Sequence, residues 1–244
     1  MNEAIQAAIA GKTPDAGGEI RADCPNCEGG QRDTLGVNVN TSAYHCFRCG
    51  LRGNLKKNGT DKKPLADFLY NQAQRVNTHP YADKKQIQPP EIRQDQHGNW
   101  IVPFMDQAGR LQTIQFIKPE KKPGEKDKFF LSKVKNNGVG FKGAAHIIEG
   151  GTDTIIWCEG IATGWSLHQA TGATVFCCGS KDNLDPVMAW SVGRYPDSKK
   201  IVAGDNDKSG DGQRVGAEAA KKHNVPFAVP GIPGTDFNDM AIDT

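Results

Sequence analysis

Two aspartates one residue apart, Asp205 and Asp207, follow directly on the short apolar run 201–203. This run is typical of a buried strand, and in open parallel sheets ligands bind beyond the carboxyl ends of the strands. Glu159 follows a second apolar run, TIIWC, in the same way. Clustered carboxylates raise one another's pKa, and a divalent cation removes that conflict. The sequence therefore predicts a catalytic Mg²⁺ or Mn²⁺ site at Glu159, Asp205 and Asp207, of the kind that assists phosphoryl transfer.

Two other interpretations of the aspartate pair compete with this one. The run DNDKSG matches the first half of an EF-hand calcium loop, but Gly216 stands where that loop needs a bidentate glutamate. The calcium interpretation therefore fails. In the other interpretation, Asp205 and Asp207 only cap the helix that follows them. Capping would explain an isolated pair of aspartates, but it leaves Glu159 at the end of another strand without a role.

Four cysteines form two CxxC pairs, Cys24 with Cys27 and Cys46 with Cys49, separated by residues 28–45. Each pair lets two thiolates turn toward one ion, and four thiolates suit tetrahedral Zn²⁺. The spacing predicts a structural Zn²⁺ that holds a small β-ribbon together. The remaining three cysteines lie inside apolar runs, where we expect buried side chains, and the odd total argues against a disulfide framework.

Positive charge is concentrated in the first part of the chain. Residues 1–150 contain 22 Lys and Arg against 16 Asp and Glu, whereas residues 151–244 contain 8 against 12. A basic region suits a polyanion, and an acidic region suits divalent cations. Tyr44 and Phe47 could stack on nucleic-acid bases or could form the core of the ribbon, and both alternatives remain open. The side chains predicted to contact nucleic acid or nucleoside triphosphates are Arg48, Arg52, Lys118, Lys128, Lys133 and Lys142.

The sequence pattern changes near residue 151, where the strands and helices that must position the acids begin. From there, short apolar strands alternate with helical segments, which indicates a mostly parallel sheet with helices on both faces. Residues 100–117 predict two strands joined by a hairpin, and residues 64–76 have helical spacing. Residues 77–99 contain three prolines among polar residues, as is typical of a linker. We therefore expect an α/β chain with a zinc-ribbon β domain at 1–60, a helix and linker at 61–99, an α+β segment at 100–150 and the parallel sheet at 151–244.

Several stretches resemble the TOPRIM domain, in particular that of phage and plasmid primases. These are EGIATGWSLHQATG (159–172), GSKDNL (179–184), GDNDKSGDGQRVGAEAA (204–220) and GTDFNDM (234–240). The two cysteine pairs are similar to the zinc-binding domain of the same primases, and residues 124–148 resemble the segment before their catalytic domain. The resemblance implies that 151–244 is a TOPRIM domain and that 100–150 is the N-terminal subdomain of a polymerase core.

The resemblance also implies roles for individual residues. Glu159 would be a general acid/base or a metal ligand, Asp205 and Asp207 would bind the catalytic metals, and Asp236 would add a weaker ligand. Many of these primases carry an aspartate four residues after the first glutamate, where this chain has Thr163. The sequence therefore leaves the number of catalytic metals open.

The function implied by the resemblance is that of a DNA-dependent primase. Such an enzyme makes short RNA primers on a single-stranded DNA template from ribonucleoside triphosphates, by metal-assisted nucleotidyl transfer. The implied partners include a replicative helicase, in cis or in trans. With no signal peptide and no apolar run long enough to cross a bilayer, we expect a cytoplasmic protein without a membrane partner. The resemblance implies a bacterial host cell and a phage or plasmid gene.

Two alternative functions use the same motifs. Non-catalytic recombination mediators also pair a four-cysteine zinc site with a TOPRIM domain, but there the zinc site lies close to that domain. In this chain residues 50–153 separate the cysteines from the first strand of the predicted sheet, which disfavours a mediator. Metal-dependent nucleases also occur among TOPRIM proteins, and this alternative remains open.

Overall fold

The computed structural model of the chain describes residues 2–27, 32–55, 65–133, 136 and 138–242. The chain divides into two units, Met1–Lys62 and Lys63–Thr244. Each unit has its own hydrophobic core.

The first unit is built on a small antiparallel sheet. A helix α1 (Asn2–Ile9) precedes strands β1 (Glu19–Ala22), β2 (Leu35–Asn38), β3 (Ala43–Cys46) and β4 (Arg52–Asn54), which pair in chain order. Ile5, Leu35, Val37 and Tyr44 pack with two cysteines in its core. Tyr44 is therefore a core residue, whereas Phe47 is 59% exposed.

The second unit begins with an antiparallel sheet and the helices beside it. Its elements are α2 (Leu65–Gln72), β5 (Gln74–Val76), α3 (Pro80–Lys84), β6 (Ile92–Gln94), β7 (Trp100–Met105), β8 (Leu111–Ile117) and β9 (Lys128–Phe130). The strands pair in the order β5-β6-β7-β8-β9. The predicted hairpin is present as β7 and β8, whose residues pair from Trp100↔Ile117 to Met105↔Leu111.

Residues 77–99 differ from the linker that their composition indicated. They contain α3 and β6, and Tyr81, Ile87 and Ile92 are buried in the core. Pro80 occupies the first turn of α3, where proline is tolerated because its missing N–H has no helical partner there. His79 caps this helix, since its Nδ1 accepts from the Tyr81 N–H at 3.2 Å. The prolines therefore mark the beginning of a helix within a packed segment.

A five-stranded, mostly parallel sheet completes the second unit. Its strands are β10 (His146–Ile148), β11 (Gly151–Cys158), β12 (Ala173–Cys177), β13 (Lys199–Ala203) and β14 (Phe227–Ala228), in the spatial order β10-β12-β11-β13-β14. Only the edge strand β10 runs antiparallel to its neighbour. The helices are α4 (Ile161–Thr171), α5 (Leu184–Ser191), α6 (Asp211–Lys222) and α7 (Phe237–Ile242).

Successive residues of β11 point into two separate cores. Ile156 and Cys158 pack in the core that contains α4, whereas Ile155 and Trp157 pack in the core that contains α5 and α6. The predicted mostly parallel sheet with helices on both faces is therefore confirmed. Across the described ranges, no helix is long and apolar enough to cross a membrane.

Gly164 allows α4 to lie close against the parallel sheet. A Cβ at this position would collide with the Sγ of Cys177 and would lie 3.3 Å from the Sγ of Cys158. Because these atoms belong to buried strands, we expect Gly164→Ala to lower the free energy of unfolding by about 1–3 kcal/mol. Urea unfolding measures this change. Gly193→Ala is the control, since a Cβ there meets no atom within 4 Å; equal stabilities of the two variants would contradict the argument.

Candidate functional site

The four cysteines of the first unit converge on one point. Their Sγ atoms all lie within 4.8 Å of one another, with Cys24 to Cys49 at 3.8 Å and Cys27 to Cys46 at 3.6 Å. A tetrahedral zinc with Zn–S bonds of about 2.3 Å separates its sulfurs by about 3.8 Å. The donor atoms and their spacing therefore fit Zn²⁺.

Hydrogen bonds favour the thiolate form of Cys46 and Cys49, whereas burial raises the pKa of Cys24 and, to about 12, that of Cys27. Burial acts to raise the pKa of Cys46, but hydrogen bonds from the backbone N–H groups of Cys49 and Arg48 outweigh it and lower the pKa to about 6. The Cys49 N–H lies 3.5 Å from the Cys46 Sγ. The pKa of Cys49 is lowered by a hydrogen bond from the Leu51 backbone N–H and then by Asn26, whose Nδ2 lies 3.7 Å from the Cys49 Sγ. Since thiolates are the form that binds zinc, this agrees with the fit.

Glu159 and Asp205 lie at the same edge of the parallel sheet. β11 and β13 are neighbouring parallel strands whose last residues, Cys158 and Ala203, pair directly. Glu159 follows the first strand at once, and Asp205 follows the second after one glycine. Of the three carboxylates predicted to converge here, Glu159 and Asp205 therefore follow the carboxyl ends of neighbouring parallel strands.

Asp205 is the most perturbed carboxyl group of this edge. Burial, followed by the negative charges of Glu159 and Asp236, raises its pKa to about 7. Its Oδ1 is buried and has no hydrogen-bond partner. Burial likewise raises the pKa of Glu159, although the positive charges of Lys181 and Lys128 oppose the shift. An orphaned carboxylate oxygen amid other acids is a position that a cation would stabilise.

Asp207 has different surroundings from Asp205. Its Oδ2 accepts from the Gly212 N–H at 2.7 Å, at the start of α6, and its Oδ1 accepts from the Ser209 hydroxyl at 2.7 Å. The hydrogen bond from Ser209, followed by that from Gly212, lowers the pKa of Asp207. The capping interpretation therefore describes Asp207 in this structure, but it does not describe Asp205.

Asp236 lies near the acidic edge and also ends a loop. Its Oδ1 accepts from the Asp239 N–H at 2.9 Å in the first turn of α7, and its charge raises the pKa of Asp205. Within the described ranges, the four cysteines are the one group of three or more potential ligands that converge closely enough to hold a metal. The predicted ligands Glu159, Asp205, Asp207 and Asp236 are therefore not gathered around one point in the way that the cysteines are.

Lys128 is the one predicted basic residue whose charge acts on this acidic edge in the described part of the chain. It lies on β9 of the neighbouring sheet, with its Nζ 5.1 Å from the centre of the Tyr81 ring. Burial acts to lower its pKa, but Tyr81 and the carboxylates of Asp127 and Asp236 raise it overall. Lys128 is therefore held in its charged form beside the acids.

The other predicted basic residues lie elsewhere. Lys118 forms an ion pair with Glu125 at 2.6 Å. Lys133 and Lys142 are exposed in the segment after β9, and Arg48 and Arg52 are exposed in the first unit. The structure therefore gathers one of the predicted cations at the acidic edge and leaves the others on the surface.

Two further residues near the site, Lys181 and Tyr81, are not predicted from the sequence. Lys181 begins the short 3₁₀ turn after β12, and its charge acts on Glu159. It lies inside the motif GSKDNL, so a signal for it was present. Tyr81 lies in the segment that was interpreted as a linker, and no local pattern pointed to it.

Comparison with known proteins agrees with this architecture. The family model described as Toprim domain matches residues 154–244. The primase fragment of the bacteriophage T7 primase-helicase matches with a TM-score of 0.55 and 16% identity, over 92% of this chain and 94% of that chain. The zinc-binding and RNA polymerase domains of the Aquifex aeolicus primase match with a TM-score of 0.48 and 11% identity, over 93% and 76%. Residues 154–244 therefore form a Toprim domain, and the chain that contains them shares its fold with the primase fragment of the bacteriophage T7 protein.

Proposed function

We propose that this protein is a DNA-dependent primase, a nucleotidyltransferase that makes short RNA primers on single-stranded DNA. The observation that carries the proposal is the acidic edge of the Toprim sheet, where the orphaned Oδ1 of Asp205 lies with Glu159 and the charged Lys128. Such a cluster fits the binding and activation of a substrate that is itself polyanionic. The shared fold with a primase fragment supports the same assignment.

In the proposed reaction, the 3′-hydroxyl of one ribonucleotide attacks the α-phosphate of a ribonucleoside triphosphate, and pyrophosphate leaves. Glu159 would accept the hydroxyl proton, a role that its raised pKa favours. Lys128 would bind the triphosphate and neutralise charge that develops there. Asp205, with Glu159 and, more weakly, Asp207 and Asp236, would hold Mg²⁺ or Mn²⁺. When bound, these ions would lower the pKa of the attacking hydroxyl and stabilise the leaving oxygen.

The first unit would hold a structural Zn²⁺ and bind the DNA template. The exposed ring of Phe47 lies 4.4 Å from the guanidinium carbon of Arg21 and beside the His45 ring. An exposed aromatic ring next to a cation can stack on unpaired bases, and Arg21, which also pairs with Glu19 at 2.6 Å, lies beside it. Arg48 and Arg52 would add to this surface, and a replicative helicase, in cis or in trans, would supply the single strand.

Incubation with single-stranded DNA tests the function directly. Templates of varied sequence, ribonucleoside triphosphates and Mg²⁺ or Mn²⁺ are supplied, with one nucleotide labelled. We expect short, alkali-labile products that require the template and the divalent ion. In a parallel reaction the DNA itself is labelled at its end.

The two labels separate the alternatives. Cleavage of the DNA without incorporation would replace the primase by a metal-dependent nuclease. Binding of single-stranded DNA with neither reaction would favour a recombination mediator. Either result would overturn the proposal.

A further inference from the structure

A cavity of about 670 Å³ lies in the second unit, between the antiparallel sheet and the edge strand of the parallel sheet. Trp100 and Pro103 of β7 line one side, and His146 of β10 and Trp165 of α4 line the other. The residues around it include none of the proposed active-site acids or lysines. Its volume falls in the range of small-molecule sites, about 300–1,000 Å³.

Two residues that line the cavity each have a buried polar atom without a hydrogen-bond partner. The Nε1 of Trp165 and the Nε2 of His146 are both buried and unpaired, and the two rings lie 6.4 Å apart between centroids. Buried polar atoms are normally hydrogen-bonded, so two neighbouring exceptions call for an explanation. By contrast, the Nδ1 of His168 in the same wall lies 2.8 Å from the Ala173 carbonyl oxygen.

The two unpaired atoms have opposite hydrogen-bonding character. The His146 Nδ1 lies 3.1 Å from the Pro103 carbonyl oxygen, which can only accept, so this nitrogen carries the proton. Burial lowers the pKa of His146 to about 4, and its ring is therefore neutral at neutral pH. Its Nε2 is then an acceptor, whereas the Trp165 Nε1 can only donate.

The rest of the wall combines apolar and polar side chains. Tyr70, Trp100 and Ile101 supply aromatic and apolar atoms, although Trp100 and Ile101 are nearly covered. Glu149 and Gln169 supply exposed polar atoms. The cation Arg93 is already engaged, since its Nε donates to Glu91 at 2.7 Å and its guanidinium lies 4.6 Å from the centre of the Tyr70 ring. A phosphate would therefore find its nearest cation neutralised.

We propose that this cavity binds a nucleobase, whose edge accepts a hydrogen bond from the Trp165 Nε1 and donates one to the His146 Nε2. Every common base carries an acceptor and a donor side by side, and its flat ring suits the aromatic wall. Because both protein atoms are covered by their neighbours, binding includes a small shift of the two rings. The base comes from a free nucleotide or from single-stranded nucleic acid, and this site is separate from the proposed catalytic edge.

Nuclear magnetic resonance of the tryptophan indole N–H groups tests the proposal. The ¹⁵N-labelled, zinc-loaded chain is titrated without added Mg²⁺ or Mn²⁺, with the four ribonucleoside monophosphates in one arm and with short oligodeoxynucleotides in another. We expect at least one arm to shift the Trp165 indole signal, and the arm with the lower dissociation constant identifies the source of the base. Ribose 5-phosphate, which lacks a base, should leave the signal unchanged.

Two variants assign the interaction. Trp165→Phe keeps an aromatic ring but removes the N–H, so we expect the dissociation constant to rise about tenfold. Trp190→Phe is the matched control, since its indole donates to the Gly143 carbonyl outside the cavity and its loss should leave binding unchanged. An unshifted Trp165 signal in every arm, or an equal shift with ribose 5-phosphate, would overturn the proposal even if the Trp165 variant failed to fold.

Discussion

Replacement of Asp205 by asparagine should lower primer synthesis by about 10³-fold, or about 4 kcal/mol in activation free energy. The substitution keeps the shape of the side chain but removes the negative charge that we assign to metal binding. The Asp205 Oδ1 is buried without a hydrogen-bond partner, so the substitution breaks no hydrogen bond at that oxygen. The measurement is the rate of ribonucleotide incorporation on single-stranded DNA with saturating Mg²⁺.

The same variant should be more stable than the natural protein at neutral and higher pH. The Asp205 pKa is about 7 in the folded state and about 4 in the unfolded state, so the folded state holds the proton more tightly. The carboxyl group therefore costs stability progressively as the pH rises from about 4 to about 7. Asp205→Asn removes this cost, and we expect a gain of about 1–3 kcal/mol above pH 7, measured by urea unfolding of the zinc-loaded protein without added Mg²⁺ and followed by tryptophan fluorescence.

Two matched variants make this result specific. Asp153→Asn changes an exposed aspartate at the opposite end of β11 and should leave both activity and stability unchanged. Asp207→Asn should lower stability at neutral pH, because hydrogen bonds in the folded state hold the pKa of Asp207 down. If Asp205→Asn lost both activity and stability, Asp205 would be a structural residue and its assignment to metal binding would fail.

The position of the acidic edge could be predicted because it depends on local patterns. Apolar strands that end in acids, with helices between them, bring Glu159 and Asp205 to one edge of a parallel sheet whatever the details of packing. The antiparallel edge strand β10 was not predicted, since three residues do not show a period. The helical pattern over 64–76 also extends beyond the helix itself, which ends at Gln72. Val76 continues the apolar pattern, but it lies in β5 and pairs with Ile92 of β6.

Features that depend on distant parts of the chain could not be predicted. Lys128 acts on the acidic edge from another sheet, and Tyr81, which contacts Lys128, lies in a segment whose composition is typical of a linker. The different surroundings of Asp205 and Asp207 depend on hydrogen bonds from Ser209 and Gly212, which a DxD motif does not specify. Spacing thus located the acids, whereas their individual pKa shifts arise from tertiary packing.

Removal of zinc should unfold the first unit and leave the second intact. The core of the first unit consists of a few side chains, and two of its buried members, Cys24 and Cys46, are predicted ligands. Zinc binding by such sites contributes about 10–16 kcal/mol, as much as the whole stability of an ordinary domain. Chelation should therefore abolish the protection of the β1–β4 amides from hydrogen exchange.

The distribution of aromatic residues allows the two units to be followed separately. All four tryptophans lie at position 100 or later, so tryptophan fluorescence reports on the second unit alone and should not change on chelation. Cys46→Ala should abolish the one zinc per chain that we expect by elemental analysis, whereas Cys178→Ala, in the core of the second unit, should retain it. If the β1–β4 amides stayed protected after complete loss of zinc, the packing of Ile5, Leu35 and Tyr44 would be sufficient to fold the ribbon, and the metal would have to act in binding rather than in folding.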